Sequence, residues 1–121
     1  MYPPIYATVK TSPAVQAVLG EDVRLFPFGR VPQGTPTPYG VWQLVPGGSP
    51  ENYLGNLPDI DSMLVQVDVY ATDDVDAREA AKALRDAIEP HAHIVSWRGE
   101  DTDTETDLAF VSFDVRWWVP R

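Results

Sequence analysis

The chain contains no cysteine, which excludes disulfide frameworks, thiolate nucleophiles and cysteine-ligated zinc. Positive charge is scarce: 9 Lys and Arg stand against 18 Asp and Glu, a formal charge of −9. A surface so charged repels phosphate backbones, so a grip on DNA or RNA is not expected. No apolar run approaches the roughly 20 residues that a membrane-spanning helix needs. The opening Met1-Tyr2-Pro3-Pro4-Ile5-Tyr6 lacks the basic and apolar regions of a signal peptide. The expectation is a soluble domain made in the cytosol, with no membrane partner. Gly-rich phosphate loops of the common kinds, the nucleophile elbow, internal repeats and low-complexity tracts are also missing.

What is present suits one folded domain spanning residues 1–121. That length is ordinary for a single domain and short for two. A hydrophobic share of 44% is ample for a core and argues against a disordered chain. Seven of the 12 prolines fall between Pro27 and Pro58, where they punctuate loops and strand edges.

Apolar spacing then assigns the elements. Ile5, Val9, Val15, Val18 and Leu19 form a helical stripe, restarted by Ser12-Pro13 as N-cap and first helical residue and ended by Gly20. Val23–Phe28 and Tyr39–Val45 read as short strands, the second closed by Pro46-Gly47-Gly48. Ser62–Ala71 is a clear strand, with Met63, Val65, Val67 and Val69 on one face and Gln66 and Asp68 on the other. Asp73–Glu89 is a clear helix. Its acidic start, alanine-rich face and terminal Pro90 suit close packing on a sheet. His93–Arg98 and Leu108–Val119 complete the strands. The predicted fold is α+β: a mainly antiparallel sheet packed by an N-terminal helical segment and one central helix.

Four features are candidates for function. Ser49, in Gly47-Gly48-Ser49-Pro50, stands at no useful spacing from a histidine and reads as a turn residue. His91 and His93, the only histidines, either share one side of a strand start and hold a metal with a carboxylate, or are plain loop residues. Glu100, Asp101, Asp103, Glu105 and Asp107 place five carboxylates in eight residues. They lack the glycine and bidentate Glu of a calcium loop, so they form a solvated hairpin tip or, in an assembly, a wall facing something negative. The loop Pro46–Asp61 displays Tyr53, Leu54 and Leu57, which either fold back on the domain or reach a partner. Adjacent Trp117 and Trp118 must point to opposite sides of a strand, so one of them meets a helix or an interface.

Several stretches together resemble the tail completion proteins of long-tailed bacteriophages. They are Leu25-Phe26-Pro27-Phe28-Gly29, Val31-Pro32-Gln33-Gly34, Pro38-Tyr39-Gly40-Val41-Trp42-Gln43, Ser49-Pro50-Glu51-Asn52-Tyr53-Leu54-Gly55, Val65-Gln66-Val67-Asp68-Val69-Tyr70-Ala71 and Val111-Ser112-Phe113-Asp114-Val115. The resemblance runs from Pro4 to Val119 and rests on their order and spacing. It implies a structural virion protein without catalytic residues or cofactors. Such proteins form a hexameric ring at the head-proximal end of the tail, built in the host cytoplasm. The ring ends tail-tube polymerisation and meets a head-side connector or stopper, as a terminator or a joining protein. DNA passes through it without specific binding.

A ring needs two different patches on each subunit. The Pro-rich stretch Pro27–Tyr39 and the long loop Pro46–Asp61 are the candidate patches, with Pro32, Gln33, Tyr39, Glu51, Asn52, Tyr53 and Leu54 the candidate interface residues, and Glu100, Asp101, Asp103, Glu105 and Asp107 the candidate lumen residues. The rival readings are a small-ligand-binding or enzymatic domain using the His91/His93 region, and an acidic mimic of DNA.

Overall fold

The computed structural model describes residues 2–51 and 60–120, with the side chains of 47–51 outside the description. Its elements are α1 (Ile5–Val9), α2 (Pro13–Leu19), β1 (Leu25–Pro27), β2 (Tyr39–Glu51), β3 (Ile60–Ala71), α3 (Asp74–Ile88), β4 (His93–Thr102) and β5 (Ala109–Pro120). The strands form one sheet in the order β1-β2-β3-β5-β4. Only β1 and β2 run parallel; every other neighbouring pair is antiparallel. The α+β expectation with a mainly antiparallel sheet is thus met. β3, α3 and β4 form a crossover whose two parallel strands are separated by the inserted β5.

Helix ends follow the local chemistry. Ser12 Oγ accepts from Val15 N–H at 3.4 Å ahead of Pro13, and Gly20, at φ +92°, ends α2. Asp73 Oδ1 accepts from Val75 N–H at 2.8 Å and Asp76 N–H at 3.1 Å, satisfying two of the donors that α3 leaves open.

All three helices lie on one side of the sheet. Ala77, Ala80, Ala81, Leu84 and Ile88 of α3 are buried against Val65, Val67 and Val69 of β3 and Val111, Phe113 and Val115 of β5. Ile5, Val9, Val15 and Leu19 close the same core from the N-terminal side. Gly40 permits a close approach here. A Cβ on it would lie 2.9 Å from Leu25 Cδ1 and 3.6 Å from Leu84 Cδ1.

The structure corrects the strand reading in three places. Pro46-Gly47-Gly48 does not close β2: the strand continues through a register shift between Val45 and Ser49, and Ser49 pairs with Ser62. Ser49 is therefore a strand residue and not part of a turn. With Pro50 opposite Asp61 and Glu51 opposite Ile60, both ends of the expected sixteen-residue loop belong to strands, and its remaining residues, 52–59, lie outside the described ones. A bulge absorbs the two glycines without breaking the ladder, which no local pattern announces. The third correction is in β4. It runs on through Gly99, Glu100 and Asp101, paired with Ser112, Val111 and Phe110, so the acidic run is only partly a tip.

Candidate functional site

Strand alternation sorts the sheet into a helix-covered face and an uncovered one. On the uncovered face, Tyr39 stacks on Tyr70 with ring centroids 5.5 Å apart, and Tyr70 lies 5.6 Å from Phe110. These three rings form an aromatic row across β2, β3 and β5. Burial pushes the Tyr70 phenol above its ordinary value, and the charges of Asp68 and Asp103 push it further. The Tyr39 phenol is likewise raised, by burial and then by Asp103.

Beside the row runs a polar network. Arg98 Nη1 donates to Gln66 Oε1 at 2.8 Å, and Gln66 Nε2 donates to Asp68 Oδ2 at 3.1 Å. Ser96 Oγ donates to Asp114 Oδ2 at 3.0 Å, and Arg116 Nη1 to Ser62 Oγ at 2.7 Å. The buried Ser112 Oγ and Asp114 Oδ1 have no hydrogen-bond partner among the described residues. Trp118 stands exposed at the far end of this face, while Trp117 is buried in the core opposite. That answers which member of the pair meets the helix side.

The predicted acidic group divides between the two faces. Glu100 points to the helix side, where Arg78 of α3 grips it through Nε and through Nη2, the latter at 2.8 Å to Oε1. That hydrogen-bonded pair holds the Glu100 carboxyl below its ordinary value. Asp101 Oδ1 accepts from Thr102 N–H at 2.8 Å, and Asp103 Oδ1 from Glu105 N–H at 2.9 Å, which shapes the turn into β5. Asp103 also lines a depression shared with Tyr39, Tyr70 and Asp68. Glu105 and Asp107 remain at the exposed tip.

The predicted interface residues are scattered. Pro32 and Gln33 are exposed in the segment before β2, and Tyr39 belongs to the aromatic row. Glu51 has its backbone opposite Ile60. Asn52, Tyr53, Leu54 and Leu57 lie outside the described residues. His91 sits in the turn after α3, its N–H donating to Ile88 O, and His93 opens β4, so no common strand face holds both. No three His, Asp or Glu among the described residues come close enough to hold a metal ion.

One surface is only partly anticipated by the candidate patch Pro27–Tyr39, which contributes Pro27 and Phe28 to it. Tyr2, Pro27, Phe28, Trp42 and Leu44 line a groove of about 520 Å³ beside β1. Phe28 is 75% exposed and sits at φ +59°, followed by Gly29 at φ +65°, with Arg30 N–H closing the turn on Pro27 O at 3.1 Å. Two successive positive φ angles make a type I′ turn, which favours Asn, Asp or Gly at both central positions. A bulky ring there is strained. The Phe-Gly pair at the end of an apolar run was the available signal.

The fold and these uncovered surfaces define a small α+β structural domain. A solved chain described as "Virion of native gene transfer agent (GTA) particle" shares the fold, with a TM-score of 0.62 over 97% of this chain and 92% of that one, at 16% identity. The comparison with curated proteins gives no match. Residues 3–120 match the family "Tail completion protein gp17", and the chain belongs to that family. It is a structural protein of a phage-type tail, as the resemblance implied.

Proposed function

We propose that the chain is the subunit of a hexameric ring at the head-proximal end of the tail, ending tube polymerisation and offering a surface to the head-side connector or stopper. The observation that carries this reading beyond family membership is that one small domain leaves two chemically different surfaces uncovered. One is the apolar groove at Phe28 and Trp42; the other is the aromatic and polar sheet face around Tyr70. A head-to-tail ring uses two unlike patches per subunit, whereas a two-fold dimer uses one.

The charge of −9 supports a passage for DNA that does not hold it. In this reading Asp101, Asp103, Glu105 and Asp107 turn toward the lumen, while Glu100 is already engaged by Arg78. Tail tube protein and connector occupy the two ends of the ring. Assembly takes place in the host cytoplasm.

Light scattering on the purified chain, alone and with uncapped tail tubes, tests the reading. A discrete oligomer of six, free or formed only on tubes, is the expected result, with tubes that stop lengthening once it is added. A chain that stays monomeric with tubes present, and leaves their growth unchanged, overturns it.

A further inference from the structure

We propose that the notch between Asp68, Phe110 and Ser112 on the uncovered sheet face takes the guanidinium of an arginine carried by a partner protein. The site goes beyond the ring reading and does not depend on it.

Strand register brings its parts together. Ser112 on β5 lies opposite Asp68 on β3 and Gly99 on β4, and Asp114, two residues further along β5, shares its face. Asp68, Arg98, Gly99, Phe110 and Ser112 line a notch of about 310 Å³. Gly99 sets no side chain opposite the serine, and a Cβ built there would meet nothing within 4 Å. The β4 side of the notch therefore stays open.

The notch has acceptors and too few donors. Ser112 is only 8% exposed, yet its Oγ has no hydrogen-bond partner among the described residues, and neither has the buried Oδ1 of Asp114. Buried polar groups are costly unless they are paired. The Asp68 carboxylate accepts from Gln66 Nε2 at 3.1 and 3.2 Å, but no Lys or Arg among the described residues forms an ion pair with it. Arg98, the cation on the spot, is directed elsewhere. Its Nη1 donates to Gln66 Oε1 at 2.8 Å, and its Nε stands 3.8 Å from Asp114 Oδ2.

These acceptors select the ligand. No three His, Asp or Glu among the described residues approach closely enough for a metal ion. Acceptors on neighbouring strands, about 5 Å apart, suit donors spread over a rigid plane. A guanidinium carries five such donors in a fixed fork, whereas an ammonium is a compact point charge. Phe110, half-buried in the aromatic row, gives the plane a ring to lie on.

The arginine comes from an unlike protein. Arg24, Arg78, Arg85, Arg98 and Arg116 each donate to groups of their own subunit. A second copy would bring another −9, so charge favours a basic partner over a copy.

NMR titration of the isotope-labelled chain with the blocked tripeptide acetyl-Gly-Arg-Gly-amide tests the site. The peptide is expected to move the amide signals of Asp68, Phe110 and Ser112 saturably. Its lysine counterpart should bind about tenfold more weakly, and its citrulline counterpart should not bind. Asp68→Asn should lower the affinity about tenfold and Ser112→Ala should lower it less. Both variants should melt within a few degrees of the parent, since Asn still accepts from Gln66 and Ala removes an unpaired hydroxyl. Equal binding of the lysine and arginine peptides overturns the proposal, as do unchanged affinities in both variants or signals that move only elsewhere. Tighter binding of free arginine than of the peptide would make the notch a small-molecule site and also overturns it. Arg30, exposed and the remaining described arginine, supplies the last control. If Arg30→Gln shifts the same signals with no peptide present, the chain fills its own notch and the partner's arginine is ruled out. None of these results bears on the ring reading, which assembly on tail tubes decides.

Discussion

Arg78 of α3 holds Glu100 of the edge strand β4 in a two-pronged contact, reaching from the helix to the sheet margin. A carboxylate that the sequence groups with four others is thereby drawn to the opposite face from Tyr70. The contact ties α3 to β4, an edge strand whose ladder partner among the described residues is β5. Trp97 strengthens the same margin: it stacks on Phe113 with centroids 5.0 Å apart, beneath the Arg85 guanidinium.

The Glu100 carboxyl should titrate below its ordinary value of 4.5, because Arg78 hydrogen-bonds its charged form. Its folded value lies below its unfolded one, so its contribution to stability is complete above the unfolded value. That contribution disappears as pH falls through the folded value. Carboxyl-detected NMR titration should show the low midpoint, and Arg78→Gln should return it toward 4.5. An unmoved midpoint in that variant would mean that the contact does not exist in solution.

Leu84 is fully buried between α3 and the sheet, so Leu84→Ala should cost about 2–5 kcal/mol in urea unfolding. A loss below about 1 kcal/mol would show that the helix packs elsewhere.

Asp73→Ala should remove the cap that accepts from Val75 and Asp76, at a cost of about 1 kcal/mol. Asp73→Asn should keep most of that stability, since the amide oxygen still accepts. Equal losses in the two variants would point to charge, not capping.

Replacing Asp101, Asp103 and Glu105 with Lys changes the net charge by +6 and should loosen the turn that Asp103 shapes while leaving the sheet and its core intact. If these residues face the lumen, the assembled variant should bind DNA at low salt, slow genome passage and release DNA steeply as salt rises. A variant that passes its genome normally and ignores DNA at low salt would place the tip on the outside.

His91→Ala and His93→Ala should alter neither melting temperature nor assembly, since both rings are exposed. Loss of a copurifying metal together with any catalytic turnover would instead revive a ligand-binding or enzymatic role.

Much of the fold is written in local pattern. Period-two alternation in β3 and β5 and the alanine face of α3 dictate which sides are buried, because burial of apolar groups on one face is a property of neighbours in sequence. Ser12, Gly20 and Asp73 mark helix ends for the same reason: capping involves residues within one turn. The carboxylates at 100–107 and the apolar residues at 53, 54 and 57 were equally legible as unusual, though not where they lie.

Long-range pairing decided the rest. Whether Pro46-Gly47-Gly48 ends a strand or becomes a bulge depends on β3 continuing to offer partners at Ser62, Asp61 and Ile60. The insertion of β5 between β3 and β4 is also invisible locally, yet it separates Glu100 from the tip carboxylates and carries it to Arg78. The groove exists only because β1 stops after three residues while β2 runs on, so that Phe28 and Leu44, sixteen positions apart in the chain, line one surface. Periodicity records which way a side chain points; only the closed sheet determines what stands opposite it.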